Sequence, residues 1–150
     1  MMLIYLDLCC FNRPFDDQRQ TRVRLESEAK LHLQQLAKDG QIVLAWSYII
    51  EYENSFNPVP SRREAIAGWK ALAGLSIAPS QSIADQAKSI ETSHGLKSFG
   101  ALHVACAISA SARLFVTTDD AILKKLKLFT PIEVVTPINA LSILERWYEN

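Results

Sequence analysis

Residues 3–11 form an apolar run that is interrupted by a single carboxylate, Asp7. The apolar side chains are continuous rather than alternating, which predicts a strand buried on both faces in the middle of a parallel sheet. Asp7 falls near the carboxyl end of this predicted strand, where ligands bind in open α/β sheets. A carboxylate among apolar neighbours is costly to desolvate unless it has a partner. A backbone N–H, an arginine or a cation would each serve as that partner.

The composition is that of an ordinary folded chain. It has 150 residues, of which 49% are hydrophobic and 21% charged, so we expect residues 1–150 to form a single domain. The 16 basic and 16 acidic residues cancel, which argues against binding of nucleic acid by overall positive charge but leaves room for local basic patches.

The N-terminus lacks a secretory signal pattern and no apolar run is long enough to span a membrane. We therefore expect a cytoplasmic protein without a membrane partner.

The cysteines and the central histidine are predicted to be core residues. Cys9, Cys10 and Cys106 are odd in number, lie in apolar surroundings and form no Cys-x-x-Cys motif, which favours reduced core thiols over disulfides or zinc ligands. His103 is also surrounded by apolar residues. A hydrogen-bonded core histidine is therefore favoured over a metal ligand at this position.

Strands and helices are predicted to alternate along the rest of the chain. Leu25, Ala29, Leu33 and Leu36 share one helical stripe, and Gly40 is expected to end that helix. Further strands are predicted at 41–46, 75–78, 114–116 and 132–135, and further helices at 48–56, 61–73, 82–93, 98–112, 121–127 and 139–148. This alternation predicts an α/β fold with a mainly parallel central sheet and helices on both sides.

Three carboxylates lie at positions where they could meet. Asp7 follows the first predicted strand, Asp119 follows the strand at 114–116, and Glu53 lies in an amphipathic helix. If the sheet is parallel, Asp7 and Asp119 leave it at the same edge. Clustered carboxylates bind hard divalent cations such as Mg²⁺, and a cluster of three or four acids can drive phosphodiester hydrolysis.

Each acid also has a simpler structural interpretation. Asp119 and Asp120 suit the N-terminal cap and first turn of the helix that follows. Glu53 suits a solvated helix face. Asp7 fits a capping role less well, because the Asn-Arg-Pro sequence at 12–14 is not expected to allow a helix to begin at once.

Several common α/β active sites are absent from the sequence. There is no Gly-x-x-x-x-Gly-Lys, Gly-x-Gly-x-x-Gly or Gly-x-Ser-x-Gly motif. Cys9, rather than a second aspartate, stands two positions after Asp7, which argues against an aspartyl-phosphate phosphatase. Neither Cys9 nor Cys10 begins a Cys-x5-Arg loop. The acidic cluster remains the best candidate for chemistry, ahead of another phosphate-handling α/β enzyme.

Four segments of the chain resemble the PIN domain family, the metal-dependent ribonuclease fold of many toxin–antitoxin toxins. They are residues 4–17, 47–58, 101–107 and 115–120. Matched residue by residue, Asp7, Glu53 and Asp119 fall on the acidic positions of the family. The resemblance implies a three-layer α/β/α fold, Mg²⁺ or Mn²⁺ held by these three acids as catalytic residues, and an RNA substrate. It also implies an antitoxin protein as partner and often a homodimer.

The chain departs from the family pattern at two positions. Leu8 stands where the family often has Thr or Ser, and Gly100 stands where the helix normally opens with an aspartate. Glycine has no side chain to bind a cation, and it weakens a helix interior by roughly 0.5–1 kcal/mol relative to alanine. The resemblance therefore implies an endoribonuclease with an impaired metal site. The alternative is a non-catalytic PIN-fold module that binds an antitoxin or RNA without cutting it.

Basic residues around the predicted acidic pocket are candidates for contacts to RNA. They are Arg13, Lys97, Lys124 and Lys125. Phosphate contacts of this kind position a strand without reading its sequence. Solvated helix faces are an equally good interpretation of the same four residues.

Overall fold

The structure, a computed structural model that describes residues 1–149, is built around one five-stranded sheet. The strands are β1 (Leu3–Leu6), β2 (Val43–Ser47), β3 (Leu75–Ile77), β4 (Leu114–Val116) and β5 (Glu133–Val135). Their order across the sheet is β3-β2-β1-β4-β5, and every neighbouring pair is parallel. The predicted α/β class is confirmed, and β1 lies at the centre as expected from its apolar sequence.

Eight α-helices surround the sheet in a three-layer α/β/α arrangement within residues 1–149. They are α1 (Leu8–Asn12), α2 (Thr21–Lys38), α3 (Tyr48–Asn54), α4 (Pro60–Ala67), α5 (Gln81–His94), α6 (Ser98–Ser109), α7 (Asp120–Lys125) and α8 (Pro137–Leu144). Helix α5 packs against α6, and α2 packs against α8. Gly40 and Gly95 follow α2 and α5 with φ values of 75° and 69°, a left-handed conformation that favours glycine.

The two central strands are buried on both faces. Ile4, Tyr5 and Leu6 of β1 have no exposed surface, and neither has any residue of β4. This burial explains why both strands are continuous apolar runs in the sequence. All three cysteines are free thiols, as predicted, and Cys10 and Cys106 are buried. No helix within the described residues is both long enough and apolar enough to cross a lipid bilayer.

The first strand is shorter than predicted, and a helix follows it at once. β1 ends at Leu6, and α1 begins at Leu8 with Asp7 as its N-cap. The expectation that Asp7 does not cap a helix is therefore wrong. The error has a physical reason: a short apolar run fits a buried strand and a buried helix equally well, and residues 3–11 contain one of each. The Asn-Arg-Pro segment then leads into a 3₁₀ turn, Arg13–Phe15, instead of a loop.

Helix α2 buries most of the predicted stripe, because Ala29 and Leu33 lie in the core and Leu36 packs against it, but Leu25 does not belong to the buried face. Leu25 is 43% exposed, while Glu26 and Lys30 are buried. The buried face accommodates Glu26 because Arg13 lies 2.9 Å from it and forms an ion pair. Several helix ends differ from the predicted ones. The helix predicted at 61–73 is divided into α4 and a 3₁₀ turn, Gly68–Leu72. Helices α6, α7 and α8 each end two to four residues before their predicted ends.

Candidate metal centre

Three adjacent strands bring the three predicted acids to one cavity. Asp7 follows β1, Asp119 lies beyond β4, and Glu53 lies on α3, which begins directly after β2. Because β2, β1 and β4 are neighbours and parallel, their carboxyl ends meet at one edge of the sheet. The resulting cavity has a volume of about 460 Å³, and Asp7, Glu53, Asp119, Gly100 and His103 all line it.

Asp7 is held in one orientation by hydrogen bonds to both of its carboxylate oxygens. Oδ1 accepts from the backbone N–H of Leu8 at 2.8 Å, which caps α1. Oδ2 accepts from the hydroxyl of Thr117 at 2.8 Å and from the thiol of Cys9 at 3.4 Å. Only 6% of Asp7 is exposed. The capping role and a role in the cavity are therefore compatible, because the cap uses one lone pair of one oxygen.

His103 faces two of the acids across the cavity. Its Nε2 atom lies 2.8 Å from Oε1 of Glu53 and 3.7 Å from Oδ1 of Asp7. One donor atom from each of the three residues lies within 4.8 Å of the others. The histidine is buried and hydrogen-bonded, as predicted, but the sequence did not indicate that it would meet the carboxylates. The available signal was its spacing: residues 100 and 103 share one face of a helix.

The second nitrogen of the His103 ring forms a hydrogen bond with a buried pair of hydroxyl groups. Nδ1 lies 2.7 Å from the hydroxyl of Tyr5, which lies 2.7 Å from the hydroxyl of Ser47. Burial raises the pKa of Tyr5 well above its ordinary value of 10. The phenol therefore stays neutral, so that it can donate one hydrogen bond and accept another. Ser47 also caps α3 by accepting from the N–H of Ile50 at 3.2 Å.

Asp119 lines the cavity and also caps α7. Its Oδ1 accepts from the N–H groups of Ala121 and Ile122 at 2.9 and 3.3 Å, which is the capping role considered for it. Both bonds end on Oδ1, which leaves Oδ2 for a second partner. Asp119 lies outside the group of donor atoms formed by Asp7, Glu53 and His103. Its own N–H donates to Oγ1 of Thr117, so one threonine contacts both aspartates.

Asp120 belongs to an ion pair rather than to the cavity. Arg22 donates to both of its carboxylate oxygens, at 2.9 and 2.6 Å. These hydrogen bonds lower the pKa of Asp120 and raise the pKa of Arg22. Because Arg22 lies on α2, this ion pair ties α2 to the first turn of α7. Arg22 also lies 3.3 Å from the buried Glu26 of its own helix.

Gly100 lines the cavity where the family pattern has an acid. It is the third residue of α6, and a Cβ atom added there would lie 3.2 Å from Cδ1 of Ile122. That neighbour is the end of a flexible side chain, so a larger residue at position 100 requires only a small shift. The backbone therefore still presents this position to the cavity.

The four candidate RNA contacts lie in different surroundings. Lys97 and Lys125 line a second cavity of about 430 Å³ that shares Glu53, Gly100 and Asp119 with the first. Lys124 is exposed and lines neither cavity. Arg13 is largely buried and occupied by ion pairs to Asp16 and Glu26.

The donors in the main cavity fit a divalent cation. Asp7 is buried and Glu53 is 30% exposed at its side chain, and the two contact the same nitrogen atom. Carboxylates held this close repel each other unless a proton or a cation lies between them. Carboxylate oxygens are the ligands that Mg²⁺ and Mn²⁺ prefer, and imidazole nitrogen is a ligand of transition metals.

Comparisons with known proteins identify the family and the fold. The family model described as "PIN domain" matches residues 4–128. The fold is similar to VapBC2 from Rickettsia felis bound to a DNA fragment from their promoter (TM-score 0.57, 16% identity, 90% of this chain and 98% of that chain). It is also similar to FitAcB from Neisseria gonorrhoeae (TM-score 0.54, 18% identity, 90% of this chain and 98% of that chain). A third similar structure is DNA-bound VapBC from Salmonella typhimurium (TM-score 0.53, 15% identity, 91% of this chain and 99% of that chain). No curated protein sequence matches the chain.

Proposed function

The chain belongs to the PIN domain family, and from this premise we propose that it is a metal-dependent endoribonuclease with a weakened metal site. One observation supports the proposal above all others. Asp7, Glu53 and His103, which are far apart in sequence, bring donor atoms within 4.8 Å of one another at the carboxyl edge of a parallel sheet. Two carboxylates held this close, one of them buried, repel each other less when a cation lies between them, which favours a metal site here.

We assign Mg²⁺ or Mn²⁺ to Asp7, Glu53 and Asp119, with Asp7 as the central ligand. Such a cation lowers the pKa of bound water and neutralises the leaving oxygen in phosphodiester hydrolysis. Asp7 is the best oriented of the three because Leu8 and Thr117 fix both of its oxygens. Glu53 is oriented by its hydrogen bond to His103, and Asp119 contributes through Oδ2, directly or through water.

Gly100 is the reason to expect a weakened site. The cavity wall at this position carries no oxygen donor, although the helix places it beside Asp119 and Glu53. Loss of one carboxylate lowers the negative charge that holds a cation. We therefore expect metal affinity and cleavage rate to fall, while the fold is retained.

The substrate that we propose is RNA, which approaches along Lys97 and Lys125, with Lys124 and Arg13 as weaker candidates. Phosphate contacts from such lysines add affinity that falls steeply with salt concentration. Two of the similar structures are described as bound to DNA as VapBC assemblies. For this chain we propose a protein partner of the antitoxin type, and a homodimer as its assembly.

A second candidate function is a non-catalytic PIN module that binds its partner or RNA without cutting. Gly100 is the observation that favours it, because a missing ligand can abolish chemistry without disturbing the surface. The two functions differ in one property, which is cleavage that depends on a divalent cation.

The experiment that tests the proposal is cleavage of a mixed pool of single-stranded RNA. The chain is incubated with the pool in Mn²⁺, in Mg²⁺ and in EDTA, and Glu53→Gln serves as the matched control because glutamine keeps the size of the side chain. Slow cleavage that requires the cation and disappears in Glu53→Gln supports the endoribonuclease. Binding of RNA with no cleavage in any condition supports the non-catalytic module.

A further inference from the structure

We propose that His103 is itself a metal ligand, which takes over from the missing acid at position 100 and makes the site prefer Mn²⁺ to Mg²⁺. This inference rests on the proposed metal site, and it concerns which side chains complete that site. It goes beyond the resemblance, which assigns the metal to Asp7, Glu53 and Asp119 only. The structure supplies three separate arguments for it.

The first argument is position. Gly100 and His103 are three residues apart on α6 and both line the same cavity. Residues at this spacing lie on one face of a helix. The imidazole is longer than an aspartate side chain, so it reaches the carboxylates from one turn further along the helix. His103 thus provides a donor on the wall where position 100 provides none.

The second argument is distance. Six ligands at about 2.1 Å from one cation lie about 3.0 Å from their neighbours and about 4.2 Å from the ligand opposite. The separations of Nε2 from Oε1 of Glu53 and from Oδ1 of Asp7 are 2.8 and 3.7 Å. Both values fall close to this range. Nε2 therefore lies close enough to both oxygens for the three atoms to approach a single ion through small shifts of the side chains.

The third argument is the hydrogen bond on the far side of the ring. A metal-bound histidine usually donates its other N–H to a fixed acceptor, which sets the tautomer and directs the free lone pair at the metal. Here Nδ1 faces the Tyr5 hydroxyl at 2.7 Å, and that hydroxyl faces Ser47. With the proton on Nδ1, Tyr5 accepts from His103 and donates to Ser47. The 2.8 Å contact between Nε2 and Oε1 of Glu53 is a hydrogen bond that needs the proton on Nε2; with the proton on Nδ1 instead, Nε2 can bind a cation, which then replaces that hydrogen bond.

The metal preference follows from the nature of the donors. Mg²⁺ is a hard cation that selects oxygen ligands and gives up its water reluctantly. Imidazole nitrogen binds first-row transition metals better than it binds Mg²⁺, with Mn²⁺ the weakest of that series and Co²⁺ stronger. A site that has lost one carboxylate and gained one imidazole should therefore favour Mn²⁺, and Co²⁺ as its spectroscopic substitute, over Mg²⁺.

The test measures binding rather than activity. Mn²⁺ and Mg²⁺ are titrated into the chain, into His103→Gln and into Asp7→Asn by calorimetry. We expect Mn²⁺ to bind the unsubstituted chain about tenfold more tightly than Mg²⁺, and His103→Gln to weaken Mn²⁺ binding by about tenfold or more with little change for Mg²⁺. Unchanged Mn²⁺ affinity in His103→Gln, with affinity abolished in Asp7→Asn, would overturn the role of His103 and leave the proposed metal site intact. Unchanged affinity in both variants would overturn both.

A second readout needs no variant that could misfold. The proton NMR spectrum of the Co²⁺-loaded chain is recorded in H₂O and in D₂O. A strongly shifted, solvent-exchangeable imidazole N–H signal is expected from Nδ1 of a bound His103. His32 and His94, the other histidines, contact Glu145 and Phe129 instead of the cavity. Absence of such a signal in a chain that binds Co²⁺ would contradict the proposal.

Discussion

The hydroxyl of Thr117 donates a hydrogen bond to Oδ2 of Asp7 at 2.8 Å, although 110 positions separate the two residues in the chain. The hydroxyl oxygen of Thr117 also accepts from the N–H of Asp119 at 3.0 Å. A neutral side chain with no exposed surface therefore fixes one candidate ligand and the backbone of another. Thr117 positions the acids without being a ligand itself.

We expect Thr117→Val to lower both stability and metal affinity. Valine has the same shape, so the change leaves Asp7 and the Asp119 N–H without this partner, at a cost of about 1–3 kcal/mol in the free energy of unfolding. Urea denaturation measures the stability, and calorimetry with Mn²⁺ measures the affinity. Thr118→Val is the matched control. If both variants behave like the unsubstituted chain, Thr117 does not position the site.

We expect Gly100→Asp to bind Mn²⁺ and Mg²⁺ more tightly and to cleave RNA faster. The new carboxylate lies in the first turn of α6, where the helix dipole tolerates negative charge. Gly100→Asn is the matched control, because asparagine has the same size and meets Ile122 in the same way but adds no negative charge. The comparison separates the effect of the new carboxylate from the effect of a larger side chain. Calorimetry and RNA cleavage are compared for the three chains. Equal, robust cleavage by all of them would show that an acid at this position is dispensable.

We expect Lys30→Met to stabilise the protein at neutral pH. Lys30 is 4% exposed, and burial lowers the pKa of its amine to about 8. The unfolded chain has a lysine pKa of about 10.4, so between pH 8 and 10.4 it binds more protons than the folded chain. The free energy of unfolding therefore rises with pH through this window, and the cost of charging Lys30 is full below pH 8.

Replacing Lys30 by methionine removes the cost of burying a charged amine, which is up to about 3 kcal/mol of unfolding free energy at pH 7. The net gain is smaller, because the cation–π interaction of Lys30 with the Phe11 ring is lost as well. Urea denaturation at pH 7 and at pH 10.5 gives the difference directly. The gain from Lys30→Met should be large at the lower pH and small at the higher one. An equal gain at both values would mean that charge is not the cause.

We expect charge reversal at Lys97 and Lys125 to weaken RNA binding more than charge reversal at Lys124. The first two residues line the cavity that adjoins the acids, and the third does not. Removing one lysine–phosphate interaction should reduce the slope of log affinity against log salt by about 0.7 for a single strand. Fluorescence anisotropy of a labelled RNA in EDTA, at several salt concentrations, measures the slope. Equal slopes for all three variants would mean that this face is only solvated surface.

The sequence predicted the sheet and the meeting of the acids, because these depend on local patterns. Continuous apolar runs identify buried parallel strands, and acids that follow such strands must meet at one edge. It did not predict that Asp7 caps α1, because residues 3–11 carry no signal for the point at which strand changes to helix. The exposure of Leu25 and the burial of Glu26 were also missed, since the ion partner of Glu26 is Arg13, which lies outside α2.

The role of His103 could not be predicted for a different reason. Its partners Tyr5, Asp7 and Glu53 are 98, 96 and 50 positions away in the chain, and no residue near His103 in the sequence indicates these contacts. Only the folded chain shows that one ring nitrogen meets Tyr5 and the other meets Asp7 and Glu53. An apolar neighbourhood in the sequence fits a packed histidine and a ligand histidine equally well.

Calorimetric titration of Asp7→Asn with Mn²⁺ tests the metal centre most directly. Asparagine is as good a helix cap as aspartate, so α1 should remain in place, and circular dichroism checks that the variant is folded. The account predicts that the unsubstituted chain binds Mn²⁺ and that Asp7→Asn, folded to the same extent, no longer does. Equal Mn²⁺ affinity in the two folded chains would contradict it.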